Sequence, residues 1–516
     1  MNNKENILTL SFEENVIIGG GTMGLFLANK LIENKQKVIV IEAGNDNIAY
    51  FDSFSFSSVG QKHEGIAIGR AKALGGTSNL WGGQLTKFIE NDLEELNRYN
   101  QPLWPIQWKE LDYYCNRVLF EFNIKDTGEY KRKISSSNEL EKYYTYWMYQ
   151  PNFKVLYLNK LQKSPLFKLF SGAVVTDLEF TNDTCYSLTF IQKGKQYRIN
   201  NFKNVILANG TFEQIRLLLK TKLNPNCPYK NNNLIGKYFQ DHIYLTVGRI
   251  KNAEKKLITE FSNIIRDGNK LQPKIRYTPE KGDIIYIGLT AFFSFTSNLS
   301  DNIDLFKQFL KAIIGKDEKK LTLWNKIQMI PKVAKSFYVV FPIIYHYIIN
   351  NRLYVPFSSN VSLNIQSQQI SSIQSSIDID MKALDNHGMP KIILDWKIDG
   401  REMDRIIFFC DIIKMYIEEN NFGQVEFEPW INDYKVSKSN EWKKYIKDTY
   451  HQAGGAIMST KPTEGVVDKN LRVHQTNNLF IVGPSVLPTS SYANTGLTSL
   501  ALTLRLADHL TNTNSK

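Results

Sequence analysis

The stretch that decides the fold is NVIIGGGTMGLFLANKLIENKQKVIVIEAG, residues 15–44. It begins with a short apolar run and continues into a G-x-G-x-x-G pattern, whose glycines are Gly19, Gly21 and Gly24. A run of helical periodicity follows, and a second apolar run ends in Glu42. This order predicts a β-strand, a tight turn, a helix and a second, parallel strand.

Each residue of this pattern has a physical use in binding a dinucleotide. Gly19 permits the tight turn, Gly21 lets the backbone approach a pyrophosphate, and Gly24 allows close contact between helix and strand. The N-terminus of the helix predicted over residues 25–34 attracts phosphate, and Glu42 can accept the ribose hydroxyls. The pattern therefore predicts a dinucleotide site, and an ordinary strand–helix turn is the less favoured alternative.

Two later segments favour FAD over NAD as the dinucleotide. GRAKALGGTSNLWGGQL (69–85) contains a second glycine-rich loop, where an NAD-binding chain usually continues with further strand–helix units. KNVILANGTFEQIRLLL (203–219) has the pattern of a buried strand, a turn at Gly210 and a helix that return to the same sheet. A second loop suits a ligand longer than one mononucleotide half, so FAD is predicted.

The composition sets the broad class of the protein. Its 516 residues are 42% hydrophobic and 22% charged, which predicts a globular protein of about two domains. The four cysteines form no CxxC pair, so neither a disulfide framework nor a metal site is predicted. The net charge of +12 fits nucleic acid, an acidic substrate or an anionic membrane, and nucleic acid ranks last because no motif for it is present. The first residues carry no export signal, which predicts a cytoplasmic location.

Several segments, in order along the chain, resemble the glucose–methanol–choline (GMC) oxidoreductases, a family of FAD enzymes. Besides the first glycine pattern they are LGGTSNLWGG (74–83), WPIQWKELDYYCNRV (104–118), NNNLIGKYFQDHIYL (231–245), YHQAGGAIM (450–458) and the C-terminal stretch 465–510. The resemblance implies an α/β fold. It implies a Rossmann-like FAD-binding domain with an interleaved substrate domain, which is built on an antiparallel sheet plus helices.

The resemblance also implies a catalytic pair. YHQAGGAIM matches the family's H-x-x-G-x-x-x-M element, which assigns His451 as the catalytic base, and Asn494 matches the second position of the pair. Alcohol oxidation removes the hydroxyl proton and passes a hydride to flavin N5, and an imidazole that titrates near neutrality suits the first task. Asn494 can hold the substrate oxygen by a hydrogen bond. His242 is assigned a structural contact near the flavin, and His63 a surface or packing role.

The same motifs imply which residues bind FAD. The predicted set is Gly19, Gly21, Thr22, Met23, Gly24, Glu42, Gly75, Gly76, Thr77, Asn79, Trp81, Gly82, Val175, Ala208, Gly210, Gly483, Asn494, Thr495 and Thr498. Family members with covalent flavin carry histidine two positions after the loop serine, where this chain has Leu80. The FAD is therefore predicted to be non-covalent, and no metal ligands are predicted.

The FAD-binding domain is predicted to be assembled from separated parts of the chain, residues 1–90, 165–250 and 440–516. The substrate-binding domain then consists of residues 91–164 and 251–439.

A basic and apolar insertion, residues 302–356, has two interpretations. It holds nine Lys or Arg and three Asp or Glu residues, beside an apolar run that is too short to span a bilayer. The favoured interpretation is a helical insertion packed on the substrate domain. The alternative is an interfacial element that rests on the anionic inner face of a membrane and reaches a lipid-linked substrate.

The predicted function is FAD-dependent oxidation of a small-molecule alcohol, a sugar or another polyol, as in the bacterial sugar-oxidising branch of the family. The substrate is neutral, anionic or lipid-linked. One alternative is a non-redox flavoprotein lyase on the same scaffold, which would cleave a cyanohydrin. Another is a membrane-bound binding protein that keeps FAD for structural reasons only.

Overall fold

The computed structural model describes residues 6–7, 15–47, 54–93, 101–125, 132–134, 139–279, 286–297 and 341–512. Of the predicted insertion at 302–356, only residues 341–356 are among them, and 302–340 lie outside. No helix in this described part is both long and apolar enough to cross a membrane.

A five-stranded parallel sheet forms around the first glycine pattern. Its strands, in spatial order, are Leu479–Ile481, Asn204–Leu207, Asn15–Ile18, Val38–Glu42 and Phe167–Ser171. The three inner strands are buried along their whole length, because parallel strands covered on both faces need continuous apolar runs. The sheet therefore joins segments from near the beginning, the middle and near the end of the chain.

The helix after the first strand, Thr22–Glu33, contacts the long helix Thr495–Asn512. The helix Thr22–Glu33 begins three residues before its predicted start at Leu25. The apolar periodicity that predicts it is visible only where the helix turns towards the core, whereas its first turn starts with threonine. The N–H of Leu25 donates to the carbonyl of Gly21 at 3.0 Å, which closes this early first turn.

The segment that follows Phe167–Ser171 provides three strands of a separate four-stranded sheet. Its strands, in spatial order, are Asn6–Ile7, Lys195–Asn200, Thr184–Gln192 and Ala173–Thr181. The last three pair antiparallel, as the alternating sequence predicts, and the short first strand pairs parallel at the edge.

A nine-stranded antiparallel sheet makes up the other large layer. Its main path runs through Gln424–Phe427, Ile243–Lys251, Asn360–Ser367, Leu289–Thr296, Asn269–Tyr277, Leu140–Trp147 and Gln84–Leu85, and Ile264–Arg266 and Arg132–Lys133 pair beside it. The strand Ile243–Lys251 belongs to this sheet, whereas the predicted boundary at 250 placed it with the FAD-binding residues. A strand's own sequence does not specify its hydrogen-bonding partner. The division of the chain into domains stays a prediction.

One face of the nine-stranded sheet is polar although it is buried. Directly paired residues share a face of a sheet, and so do alternate residues of one strand. The buried polar residues that these rules place on this face are Thr145, Lys274, Arg276, Thr290, Asn364 and Gln366. Buried polar groups need partners, so this face is suited to lie against a polar site.

A third sheet and several helices complete the described fold. Phe56–Gly60 pairs parallel with Pro390–Trp396, which pairs antiparallel with Ser376–Leu384. The further α-helices are Trp108–Glu121, Asn159–Gln162, Thr211–Thr221, Lys255–Phe261, Met403–Glu419 and Pro429–Ser437, together with helical residues 341–348. Short 3-10 or π segments are Gly76–Asn79, Glu90–Asp92, Lys154–Leu158, Glu441–Lys444 and Pro484–Val486. The predicted fold class, α/β with a parallel sheet and an antiparallel sheet plus helices, is confirmed.

Candidate active site

The two glycine-rich loops lie against each other. The backbone N–H of Gly75 donates to the carbonyl of Gly20 at 2.8 Å. A Cβ atom added to Gly76 would stand 2.8 Å from the Cα atom of Gly21, so a larger residue would separate the loops. Gly75 and Gly76 also have positive φ angles of 89° and 53°, which glycine adopts without strain. The loops thus form one continuous backbone surface.

The glycines of the first loop differ in what surrounds them. A Cβ atom on Gly19 would lie 2.6 Å from the carbonyl oxygen of Ala208, and one on Gly24 would lie 1.9 Å from that of Gly19. These two glycines are required by packing within the protein. A Cβ atom on Gly21 would have its nearest neighbour at 3.7 Å, an ordinary van der Waals distance. The space beside Gly21 is therefore left open to a ligand.

Two groups that suit a dinucleotide border this open space. Gly21 precedes the helix Thr22–Glu33, whose start has no side-chain cap and no acidic residue, so its N–H groups are available to an anion. Glu42 is buried at the end of the neighbouring strand and accepts the N–H groups of Gly20 and Gly44 at 2.7 and 2.6 Å. Burial raises the pKa of this carboxyl to about 7, although both backbone donors oppose the rise.

The second loop meets the start of the last helix, where other predicted contacts lie. The ring of Trp81 packs so closely on Gly496 that a Cβ atom there would stand 2.9 Å from it. Asn494 donates from Nδ2 to Oε1 of Gln84 at 3.2 Å. The buried hydroxyl of Thr498, a predicted FAD contact, has no hydrogen-bond partner in the described part of the chain. Such an orphaned polar atom fits a site that a polar ligand completes.

Other predicted FAD contacts have roles within the protein itself. Asn79 donates from Nδ2 to two carbonyl groups of its own loop, at 3.0 and 2.7 Å. A Cβ atom on Gly82 would stand 2.3 Å from an indole ring, and the sulfur of Met23 accepts a hydrogen bond from a threonine of the last helix. Val175 is buried in the four-stranded sheet. These contacts within the protein are enough to explain the residue types at these positions. That the same residues also contact FAD stays a prediction.

The remaining predicted positions lie at turns and helix starts. Gly210 and Gly483 have positive φ angles of 79° and 126°, and no atom lies within 4 Å of a Cβ added to Gly210. Thr77 is exposed at the surface of the second loop, whereas Thr495 is buried at the first position of the last helix. Taken together, the bare loops, the uncapped helix, the buried carboxyl and the orphaned hydroxyl fit FAD.

The residue that organises the candidate catalytic centre is Asp241. It is fully buried and accepts the backbone N–H groups of His242 at 2.7 Å, Thr449 at 3.2 Å and His451 at 3.1 Å. It also accepts the hydroxyl of Thr449 at 2.9 Å and Nε2 of His63 at 3.1 Å. Although burial alone would raise it, the hydrogen bond from His63 and the nearby imidazoles lower the pKa of Asp241 to about 2. Asp241 is therefore an ionised acceptor.

The ionised Asp241 fixes which ring nitrogen of His451 carries the proton. The hydroxyl of Thr449 lies 2.6 Å from Nδ1 of His451, and it has only one proton to donate. Because that proton goes to the carboxylate, the hydroxyl oxygen accepts a hydrogen bond from Nδ1–H of His451. Nε2 is then unprotonated, and within the described residues no protein group hydrogen-bonds it. His451 thus presents a free lone pair.

His242 lies next to this ring and is fixed in the complementary tautomer. Its Nε2 donates to the carbonyl of Ser490 at 3.1 Å, so its Nδ1 accepts the amide N–H of Gln366 at 3.0 Å. Nδ1 of His451 lies 3.1 Å from the same acceptor. Burial, the imidazole of His242 and the charge of Lys274 lower the pKa of His451 to about 3, and Asp241 opposes them only in part. His451 is therefore neutral near pH 7.

The side chain of Gln366 connects the segment that contains Asn494 with His242, which lies next to His451. Gln366 donates to the carbonyl of Tyr492 at 2.8 Å and to His242, so the segment before Asn494 is held beside the two imidazoles. In the residues that the structure describes, no hydrogen bond links Asn494 to His451 directly. That the two side chains act on one substrate stays a prediction.

Two sets of side chains also place possible metal-ligand atoms within 4.8 Å of one another. They are Asp241, His242 and His451, and His63, Asp241 and Asp448. The mutual hydrogen bonds described above occupy most of these atoms, so we assign the cluster to holding protons and orienting imidazoles. His63 is buried within this network rather than at the surface.

The sequence indicates His451 as the base but does not identify most of the residues that position and tune its side chain. Asp241 lies in the quoted segment 231–245, so the sequence did contain a signal for it. The sequence alone did not predict that its carboxylate would orient the imidazole of His451. Thr449 lies two residues before His451 and could have been found by the same reasoning. Gln366 and Lys274 come from distant strands of the nine-stranded sheet and have no local signal.

Comparisons with known proteins support this fold. Residues 374–503 match the family model of the GMC oxidoreductases, and they include His451 and Asn494. This part of the chain is therefore a GMC oxidoreductase C-terminal domain, and the family resemblance is confirmed to that extent.

Individual relatives add the following. The large subunit of fructose dehydrogenase from Gluconobacter japonicus is 40% identical over 72 residues, which are 14% of this chain and 13% of that protein. Pyridoxine 4-oxidase from Mesorbium loti has a similar structure, with a TM-score of 0.58, 14% identity and coverage of 96% of this chain and 98% of that chain. A fungal aryl-alcohol oxidase is similar with a TM-score of 0.58 and 14% identity, covering 98% of this chain and 100% of that one. At such identities the likeness shows only that this chain shares the fold of these two oxidases.

Proposed function

We propose that the protein is an FAD-dependent oxidoreductase that oxidises a CH–OH group of a small-molecule alcohol, with His451 as the base. The observation that carries the proposal is the pair of short distances from the Thr449 hydroxyl, 2.9 Å to Asp241 and 2.6 Å to Nδ1 of His451, from which Nε2 follows as a free acceptor. A general base must be unprotonated and unoccupied at the atom that takes the proton. FAD, when bound, supplies the acceptor for the hydride that leaves the carbinol carbon.

Proton transfer and substrate orientation are assigned to side chains of the protein. His451 accepts the hydroxyl proton at Nε2, and Asp241, through Thr449, stabilises the imidazolium that forms. Asn494 orients the substrate oxygen, and its own amide is held by Gln84. The ionised carboxylate of Asp241 offsets part of the cost that burial, His242 and Lys274 place on this imidazolium.

A sugar or another polyol is the substrate class that we propose. Several hydroxyl groups need several hydrogen-bonding partners, and the polar face of the nine-stranded sheet lies beside Tyr492 and His242. The partial similarity to fructose dehydrogenase supports the same class. We further propose that the FAD is non-covalent, because Leu80 stands where a histidyl linkage would need histidine. Acid precipitation of the holoprotein should release the flavin, and flavin that remains with the pellet would contradict this.

The proposal is tested by anaerobic titration of the FAD-loaded protein with sugars, polyols, sugar acids and sugar phosphates. An oxidised substrate bleaches the flavin absorbance, whereas a lyase would leave it unchanged. His451→Gln should slow flavin reduction by about 10²- to 10⁴-fold while FAD remains bound. His387→Ala, in the turn between Ser376–Leu384 and Pro390–Trp396, is the matched control and should behave like the native protein.

Two outcomes would contradict the assignment. If no alcohol bleaches the flavin, oxidation of a CH–OH group is wrong. If His451→Gln reduces the flavin as fast as the native protein, His451 is not the base, and a binding protein that keeps FAD for structural reasons becomes the better interpretation.

A further inference from the structure

The strand Asn269–Tyr277 carries three polar side chains in succession on the face that meets the candidate active site. Gln272 accepts a hydrogen bond from Gln84 at 2.8 Å, and Gln84 also holds Asn494. Two positions beyond Lys274, Arg276 donates to the hydroxyl of Tyr492 at 2.7 Å. Because alternate residues share a face, Lys274 lies between two side chains that reach the segment carrying Asn494.

Lys274 differs from its neighbour Arg276 in having no counter-ion. Both side chains are buried, with 4% and 5% of their surface exposed. Arg276 pairs with Glu141, whereas the ammonium of Lys274 makes no hydrogen bond or ion pair in the described part of the chain. The contact that the structure gives it is to the ring of Phe292, whose centroid lies 4.6 Å from Nζ. An aromatic face stabilises a buried cation much less than a carboxylate does.

The charge of Lys274 acts on the catalytic histidines. Burial lowers the pKa of Lys274 to about 8, so the group is still mostly protonated at pH 7. Its positive charge contributes to lowering the pKa of both His451 and His242. Phe292, which Lys274 contacts, pairs with Asn364, and Gln366, two positions further on the same face, donates to His242, so Lys274 lies on the sheet face that meets the imidazoles.

We propose that Lys274 binds an anionic group, a carboxylate or a phosphate, of the alcohol that this site oxidises. The inference rests on the proposed oxidation and adds the substrate class: an acidic hydroxy compound such as a sugar acid or a sugar phosphate. A buried ammonium without a counter-ion costs free energy, and an anionic substrate group supplies the missing partner. A neutral sugar would leave that cost in place.

The binding of an anion beside Lys274 would also make His451 a stronger base. Neutralising Lys274 removes one of the charges that hold the pKa of His451 low, so His451 accepts a proton more readily with an anionic substrate bound. The same pairing therefore contributes to substrate affinity and to proton transfer.

The test compares glucose, gluconate and glucose 6-phosphate as reductants of the FAD-loaded protein, with Lys274→Met and Lys274→Arg beside the native protein. We expect kcat/KM for one anionic substrate to exceed that for glucose, and Lys274→Met to lower it by at least ~30-fold. Lys274→Arg should restore part of the loss. Lys274→Met should raise the value for glucose rather than lower it, because it removes one of the charges that hold the pKa of His451 low. Lys270→Met is the matched control, because Lys270 is a partly buried lysine of the same strand, stacked on Trp147 with Nζ 3.3 Å from the ring centroid.

The outcomes separate this inference from the proposed function. Equal use of neutral and anionic sugars, with no effect of Lys274→Met, would overturn the inference while the oxidation stands. If none of the three reduces the flavin, binding of acetate and of inorganic phosphate is measured from the change in flavin absorbance. Binding that Lys274→Met abolishes and Lys270→Met preserves supports the anion site, and binding that is unaffected overturns it.

Discussion

Replacing Asp241 with asparagine tests the network that sets the protonation state of the catalytic centre. A carboxamide has one acceptor oxygen, and its NH₂ group would point at backbone or side-chain donors that the carboxylate now accepts. Thr449 would lose its anionic acceptor and would donate to Nδ1 of His451 instead. The proton of His451 would then move to Nε2, where the substrate proton must arrive.

The size of the effect on stability follows from the pKa of Asp241. It is about 2, against an ordinary value of 3.8, and each unit corresponds to about 1.4 kcal/mol, so the ionised group contributes about 2 to 3 kcal/mol at pH 7. Since the pKa is lower in the folded state, this contribution is fully present above pH 3.8 and is lost as the pH falls through about 2. Turnover should fall by about 10²- to 10⁴-fold, because the wrong tautomer predominates.

The assays are urea unfolding at pH 7 and anaerobic flavin reduction, each with Asp448→Asn as the control. Asp448 is a neighbouring buried carboxyl that accepts the N–H groups of Glu64 and Gly65, and burial raises its pKa. Its substitution removes a neighbouring carboxylate but keeps Asp241 as the acceptor of the Thr449 hydroxyl, so turnover should fall much less than in Asp241→Asn. An Asp241→Asn protein with native free energy of unfolding and native turnover would refute the reasoning on both counts.

Three further predictions concern the cofactor site and the surface. Gly24→Ala should prevent native folding, because its Cβ would stand 1.9 Å from a backbone oxygen, whereas Gly21→Ala should fold and bind FAD more weakly, which thermal unfolding and flavin titration distinguish. Raising the pH from 6 to 8 should tighten FAD binding, because Glu42, whose pKa is about 7, is then ionised and accepts ribose hydroxyls; Glu42→Gln should abolish this dependence. If the exposed apolar residues Phe341 and Ile348 rest on a membrane, the protein should float with anionic liposomes, and substituting both with serine should reduce recovery; equal recovery would remove the membrane interpretation.

The sequence predicted the parallel sheet well, but it did not predict most of the side chains around His451. The difference has a physical reason. A parallel strand buried on both faces must be apolar throughout, and a phosphate-binding turn must be glycine, so both leave a local pattern at residues 15–42. His451 could be proposed as the base from the sequence because the residues around it match a motif. The residues that hold and tune it, Gln366 and Lys274, reach the site through the pairing of antiparallel strands, and that register depends on the folded whole.

The arrangement of the parallel sheet has a consequence for synthesis of the protein. One of its inner strands, Asn204–Leu207, is flanked by Asn15–Ile18 on one side and by Leu479–Ile481 on the other. The nascent chain therefore cannot close this layer until residues 479–481 have left the ribosome, and the apolar edge of Asn204–Leu207 stays uncovered meanwhile. Such late closure leaves apolar surface open to chaperones, and we expect FAD to bind only after residues 479–481 have joined the sheet.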